Sequence, residues 1–301
     1  MYEQISSNKR RSVLLVAGFI LVLLAIGWAV DQLLGIGTPG LIIAVVVAGL
    51  SSFAAYWRSD AIALAMSRAQ PADPVEYARL HNLVEGLCIA GGLPKPRVYV
   101  VQDDAPNAFA TGRDPRHAAI AVTTGLLAKM NRVELEGVLA HELSHIKNYD
   151  ILVSTLAVTM VGAITLLADF SMRLMWFGGG RRDNDDNRGG GSGPLMIVGL
   201  VLLIVAPLVA RVMQFAISRR REMLADVSGV GLTRYPPGLI SALEKLRDDS
   251  AVVTSASRAT AHLWIESPLE RVAAEGRRVW LNRLFDTHPP LEERIEALRE
   301  L

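Results

Sequence analysis

The chain has 301 residues, 51% of them hydrophobic and 20% charged, with a formal net charge of +1 and a mean hydropathy of +0.30. That is too apolar for an ordinary soluble domain and too charged for a bare bundle of lipid-facing helices, so a mixed protein is expected, with spanning helices and a polar part outside the bilayer. The balanced charge argues against nucleic acid as a partner, and the single cysteine, Cys88, excludes an internal disulfide and a thiolate-rich metal site.

Ser12 to Val30 is an uncharged aliphatic run preceded by Lys9, Arg10 and Arg11. It is long for a signal-peptide core and has no small-residue cleavage site beyond it. A second uncharged run, Gly40 to Trp57, follows across a short connection without Lys or Arg. Residues 1–58 therefore read as a transmembrane hairpin, and the basic flanks put the N-terminus and everything after Arg58 in the cytoplasm.

Residues 59–150 read as a cytoplasmic catalytic part. Asp73-Pro74-Val75-Glu76 predicts a helix start and Gly91-Gly92 with Pro94 its stop near Ala90, with Cys88 in its core. Short strands are predicted over 97–101, 107–110 and 117–123, and helices from about Thr124 and from Arg132 to Lys147. Two further apolar runs, Ile151–Ala168 and Pro194–Ala210, predict a second transmembrane hairpin over 151–216, with the Gly-rich segment Gly178–Gly193 as an external loop. Both runs fall short of the ideal ~20 residues, so a buried core hairpin is the alternative there. Asp169 and Arg173 stand one helical turn apart near the end of the third run and would pair. Arg211 and Arg219–Arg221 anchor the return to the cytoplasm. Residues 217–301 complete the catalytic part, mainly as helices. The expected fold is α+β: a mainly helical, zincin-like domain with a small antiparallel sheet, plus four transmembrane helices.

The chemistry centres on His141-Glu142-Leu143-Ser144-His145. On a helix, residues four apart share a face, so both imidazoles reach one ion, and Glu142 projects beside them as a general base for a water molecule. A catalytic zinc takes a third protein ligand. Two Glu-x-x-x-Asp pairs lie downstream, Glu222…Asp226 and Glu244…Asp248. The second hairpin starts at the end of the histidine helix, so the returning chain arrives beside His145. That favours Glu222, while Glu244 sits in a segment patterned like a solvated helix face. Asp226, one turn after Glu222, is placed to accept the second ring N–H of a liganding histidine, with His141 the expected partner. One zinc ion per chain and hydrolysis of a peptide carbonyl are the predicted cofactor and chemistry. Of the other histidines, His81 and His117 read as surface residues and His262 as packing.

With these residues in hand, the chain resembles the HtpX family of membrane zinc peptidases, relatives of the CAAX prenyl endopeptidases. The resemblance is carried by the first hairpin, Asn107-Ala108-Phe109-Ala110-Thr111-Gly112, Thr124–Leu127, His141–His145 with Asn148-Tyr149-Asp150, Arg220-Arg221-Glu222 through Asp226, and Thr287-His288-Pro289-Pro290 with Arg294. It implies Glu222 as third ligand and Asn107–Ala110 as an edge strand that binds extended polypeptide by main-chain hydrogen bonds. It also implies His288 as an oxyanion-supporting catalytic residue and Arg294 as its structural or substrate-facing partner. It further implies a multi-pass protein of the bacterial inner membrane, with lipid and damaged membrane proteins as partners, in proteolytic quality control under stress. Two other readings are a prenyl-protein endopeptidase, for which four spans are too few, and an inactive zinc scaffold, which would not need Glu142.

Overall fold

The computed structural model describes residues 2–34, 38–160, 219–255, 260–266 and 289–301. The expected second hairpin beyond residue 160, its Gly-rich loop, the Asp169–Arg173 pair and His288 lie outside the described residues.

Two long helices, α1 (Tyr2–Leu34) and α2 (Thr38–Met66), open the chain and pack against each other. Among the described residues, no helix is long and apolar enough to cross a membrane. Helix α3 (Ala78–Gly91) begins later than the sequence suggests. The Asp73 carboxylate accepts from the amides of Val75 and Glu76, at 2.8 and 3.0 Å, and so caps a separate turn ahead of the helix. Gly92, in the left-handed conformation, ends α3 as expected. Cys88 is in the core, where burial pushes its thiol up to about 11.

The sheet has four strands in the order β1-β2-β4-β3: β1 (Gln70–Pro71), β2 (Arg97–Val101), β3 (Ala108–Gly112) and β4 (Ala118–Thr123). It is mixed, not antiparallel as expected. β2 runs parallel to β4 while β1–β2 and β3–β4 are antiparallel. β4, Ala118-Ala119-Ile120-Ala121-Val122-Thr123, is buried at every position and pairs along both edges, with β2 on one side and β3 on the other. It occupies the middle of the sheet. That leaves β3 at the edge.

After α4 (Thr124–Lys129) comes α5 (Arg132–Lys147), the central helix. Asn131 and Glu134 form a capping box at its start, with the Glu134 amide 3.0 Å from Asn131 Oδ1 and the Asn131 amide 2.8 Å from Glu134 Oε2. Its remaining length is buried nearly all round, because α3, β3, α7 (Arg219–Thr233) and α8 (Pro236–Asp248) pack against it. A further helix, α6, covers residues 150–160, and α9 (Leu291–Arg299) closes the domain against α7 and α8. α7 approaches α5 tightly at Gly229, where a β-carbon would stand 3.0 Å from the His141 amide nitrogen. Glycine there lets α7 lie directly on the helix that carries the histidines.

Candidate active site

His141, Glu142 and His145 project from the second half of α5 into a cavity of about 30 Å³, room for roughly one water molecule. The two histidine rings stand nearly perpendicular, at 89°, with their Nε2 atoms 3.1 Å apart. Glu222, from the first turn of α7, completes the group. Its Oε2 lies 3.6 Å from His141 Nε2 and its Oε1 3.5 Å from His145 Nε2. One ligand atom from each residue falls within 4.8 Å of the other two. Tetrahedral ligands at about 2.0–2.1 Å from an ion are about 3.4 Å apart. Two imidazole nitrogens and a carboxylate at this spacing therefore fit one divalent ion. Glu244, the other Glu-x-x-x-Asp candidate, is away from this group and pairs with Arg299 at 2.7 Å.

Behind each histidine stands a carboxylate. Asp226 Oδ1 is 2.7 Å from His141 Nδ1. Asp150 Oδ2 is 3.1 Å from His145 Nδ1. Each ring thus turns its Nδ1 edge to a carboxylate and its Nε2 edge to the ion site, which fixes both tautomer and orientation.

A model of peptidase family M48 matches residues 74–301 of this chain. Proteins named Protease HtpX homolog from Thermoanaerobacter pseudethanolicus and Streptococcus agalactiae are each 46% identical to it over the whole chain, covering 98% and 100% of those proteins. The one from Streptococcus gordonii is 44% identical, again over both full lengths. The chain belongs to peptidase family M48. The crystal structure of S. mikatae Ste24p also resembles the peptidase, with a TM-score of 0.50 at 18% identity, over 99% of this chain and 67% of that one. This is a likeness of fold. The family membership makes the chain a metallopeptidase, a hydrolase, and implies a bound metal.

The electrostatics of the peptidase suit a cation. Burial opposes a charge on His141, but Asp226 and Glu222 outweigh it and hold its pKa up at about 9. His145 is likewise raised against burial, by Glu222 and Asp150. Burial, helped by the Glu222 charge, raises the Glu142 carboxyl above its ordinary value, with the two histidines opposing. Such a carboxylate holds a proton more readily than a solvated one, as a general base that must also return it requires. Burial would raise Asp226 too, but Arg294 and His141 outweigh it and keep it below the usual range.

The remaining predicted site residues are spread differently. Arg294 is fully buried and forks onto Asp226, with its Nη1 donating to the Ile265 carbonyl at 3.1 Å. It faces the back of His141 and not the cavity. Asn107 holds the main chain of Glu266, its Nδ2 donating to that carbonyl at 2.9 Å. The Ala108 carbonyl accepts from the Ile265 amide at 2.9 Å. Phe109 is buried edge-on against Trp264, with ring centroids 4.7 Å apart. Of Asn107–Ala110, only Ala110 lines the cavity. Asn107 bonds toward β4 through its carbonyl and Ala108 away from it. By strand alternation the Ala110 N–H and C=O also point away from β4, between Ala108, bonded to Ile265, and Gly112, whose amide donates to Thr155 Oγ1 at 3.1 Å.

Three residues at the site were given no role there by the sequence reading. Asp150 stands in the quoted motif, but nothing local says that it turns back to His145. His262, expected as packing, is buried with its Nε2 3.2 Å from the Ser154 carbonyl and also lines the cavity. Arg221 lines it too, Nη1 3.7 Å from Asp150 Oδ1. A carboxylate directly before an apolar run was the one available signal for Asp150.

Proposed function

We propose that this chain is a zinc metalloendopeptidase of the membrane that cuts misfolded or damaged proteins, membrane proteins among them, from the cytoplasmic side, in quality control and stress response. The observation that carries the reading is the convergence of His141, His145 and Glu222 on one point with Glu142 beside it. Two neutral imidazoles and one carboxylate leave a zinc ion with net positive charge. Such an ion acidifies water and polarises a carbonyl oxygen.

The chain's own residues do the rest. Glu142 accepts the proton of the attacking water and passes it to the leaving amine. Asp226, itself held by Arg294, keeps His141 aimed, and Asp150 does the same for His145. An extended substrate pairs with the outer edge of β3 through the Ala110 main chain. Backbone pairing of this kind reads little sequence, which suits an enzyme for unfolded clients. His288 is assigned to support the oxyanion on the family resemblance alone.

The membrane part of the reading rests on the apolar runs in the sequence and on the outer faces of α1 and α2. Leu14, Leu21, Trp28, Ile42, Leu50 and Phe53 are each more than half exposed. A surface of that kind suits lipid far better than water. In this reading residues 1–58 and 151–216 are the two transmembrane hairpins, and 59–150 with 217–301 form one catalytic unit.

The test is cleavage of an unfolded protein by detergent-solubilised enzyme, stripped with a chelator and reloaded with zinc, beside Glu142→Gln. Zinc-dependent cutting that disappears in the variant supports the reading. A wild-type protein that binds zinc but cuts neither this substrate nor prenylated peptides would sink it.

A further inference from the structure

The turn between α5 and α6 carries the carboxylate that orients His145, and α1 grips this turn from a distance of some 140 residues in sequence. Asn8 is 3% exposed, on the first turns of α1. Its Nδ2 donates to Asp150 Oδ1 at 2.7 Å and to the Asn148 carbonyl at 2.9 Å. An amide nitrogen has two hydrogens, so these two bonds use it completely. The other oxygen of the same carboxylate, Asp150 Oδ2, is the one 3.1 Å from His145 Nδ1. Next to Asn8, Lys9 places its ammonium 4.8 Å from the centre of the Tyr149 ring. Tyr149 itself has φ +61°, a left-handed conformation that a side chain of this size adopts only when its surroundings hold it there. A strained turn, a buried amide nitrogen with both hydrogens bonded and a cation over a ring all converge on three consecutive residues, 148–150.

We propose that Asn8 is a positioning residue of the metal site: through Asp150 it sets the orientation of the His145 ring, so that the first helix is a working part of the active centre as well as an anchor. The proposal rests on the reading of His141, His145 and Glu222 as the metal ligands. Without the amide, Asp150 loses its fixed donor and turns toward Arg221, whose Nη1 is already 3.7 Å from Oδ1. His145 then loses the acceptor that fixes its tautomer. The groups behind a metal-bound histidine typically govern affinity by 10–100-fold, and Asn8 acts one bond further out.

The experiment uses the full chain in detergent, stripped and titrated with zinc against a competing chelator, and separately loaded with cobalt(II) for its visible spectrum. Asn8→Ala weakens zinc binding about tenfold and shifts the cobalt bands, on the scale known for such partners, with kcat falling more than KM. Asn8→Asp, of nearly the same volume, points an acceptor at the Asp150 carboxylate and loses at least as much. It is the variant to read if alanine prevents folding. Ser12→Ala removes a buried hydroxyl of the same helix, bonded to the Asn8 carbonyl at 2.9 Å, and leaves both readouts unchanged. Wild-type zinc affinity and cobalt spectrum in the Asn8 variants overturn the proposal, whatever happens to thermal stability. His145→Ala keeps the two failures apart. If it loses zinc while the Asn8 variants do not, only the role of Asn8 falls. If it keeps zinc, the metal-site reading falls first.

Discussion

The Arg294 guanidinium lies fork to fork against the Asp226 carboxylate, Nε 2.8 Å from Oδ2 and Nη2 2.7 Å from Oδ1, with both side chains almost wholly buried. The same Oδ1 is 2.7 Å from His141 Nδ1. A charge pair of this kind in the interior is costly unless every hydrogen-bonding group is used, and here the C-terminal helix supplies the cation that keeps Asp226 ionised behind the histidine.

Removing one member of that pair strands the other. Arg294→Met is expected to cost about 3–5 kcal/mol of stability, the usual penalty for an unpaired buried charge. Arg294→Lys recovers only part of it, because an ammonium cannot make the bidentate contact. Asp226→Asn is expected to weaken zinc binding about 10–100-fold. Thermal unfolding with and without zinc checks all three, and a lysine variant as stable as wild type would refute the fork argument.

Glu142→Gln keeps the side chain's size and removes its basicity. The expected result is one zinc bound per chain as in wild type, with peptide cleavage reduced at least about 10²–10⁴-fold. Zinc stoichiometry and turnover, measured on the same preparation, decide it. Loss of the metal in this variant would mean that Glu142 is a ligand and not the base.

The histidine pKa makes a prediction about the metal-free protein. His141 is held up at about 9 in the fold, against the ordinary imidazole value of 6.5. A raised folded pKa contributes stability that is complete below the unfolded value and is lost as pH rises through the folded one. The metal-free protein should therefore lose stability steadily from about pH 6.5 to 9. Zinc should remove that slope, because a liganding imidazole no longer carries the proton. Melting temperatures across this range, with chelator and with zinc, would show two parallel curves if the idea is wrong.

Gly229→Ala sets two effects against each other. Alanine gains up to about 1 kcal/mol of helix propensity. Its β-carbon, however, would meet backbone atoms of His141 and Ala140 at 3.0–3.2 Å. Those atoms belong to a helix packed on every side, so they cannot yield without cost, and overpacking of this kind costs about 1–3 kcal/mol. The net expectation is lower stability and weaker zinc binding, since α7 carries Glu222 on the displaced helix. An increase in melting temperature would count against it.

Ala110→Pro tests the edge-strand docking. Proline is tolerated on an edge strand where its nitrogen faces outward, and it deletes the one N–H assigned to substrate pairing. Cleavage of an unfolded protein should fall by about five- to tenfold, the worth of one hydrogen bond near 1 kcal/mol, with zinc affinity unchanged. Unaltered cleavage would move substrate binding away from this edge.

Some of this was legible in the residues themselves. The spacing of His141 and His145 places two imidazoles on one face wherever the segment is helical, because the helix period is a local property. The same period ties Asp226 to Glu222. The choice of Glu222 over Glu244 came from the order of the chain, on the expectation that a hairpin leaving the end of α5 returns near it. The stop of α3 at Gly92 is likewise local chemistry, read within a few residues.

Only the tertiary structure decided the rest. The sheet is mixed because β4 pairs parallel with β2 and antiparallel with β3, a fact about neighbours that short-range turn signals do not carry. Arg294, which the family resemblance left as a structural or a substrate-facing residue, lies behind His141 on Asp226, because a charge far along the chain reports nothing of the partner it will meet. Asp150 and Asn8 are joined across 142 positions. A side chain's direction within its helix is written in the sequence, but the group waiting at its end is set by how separate helices pack.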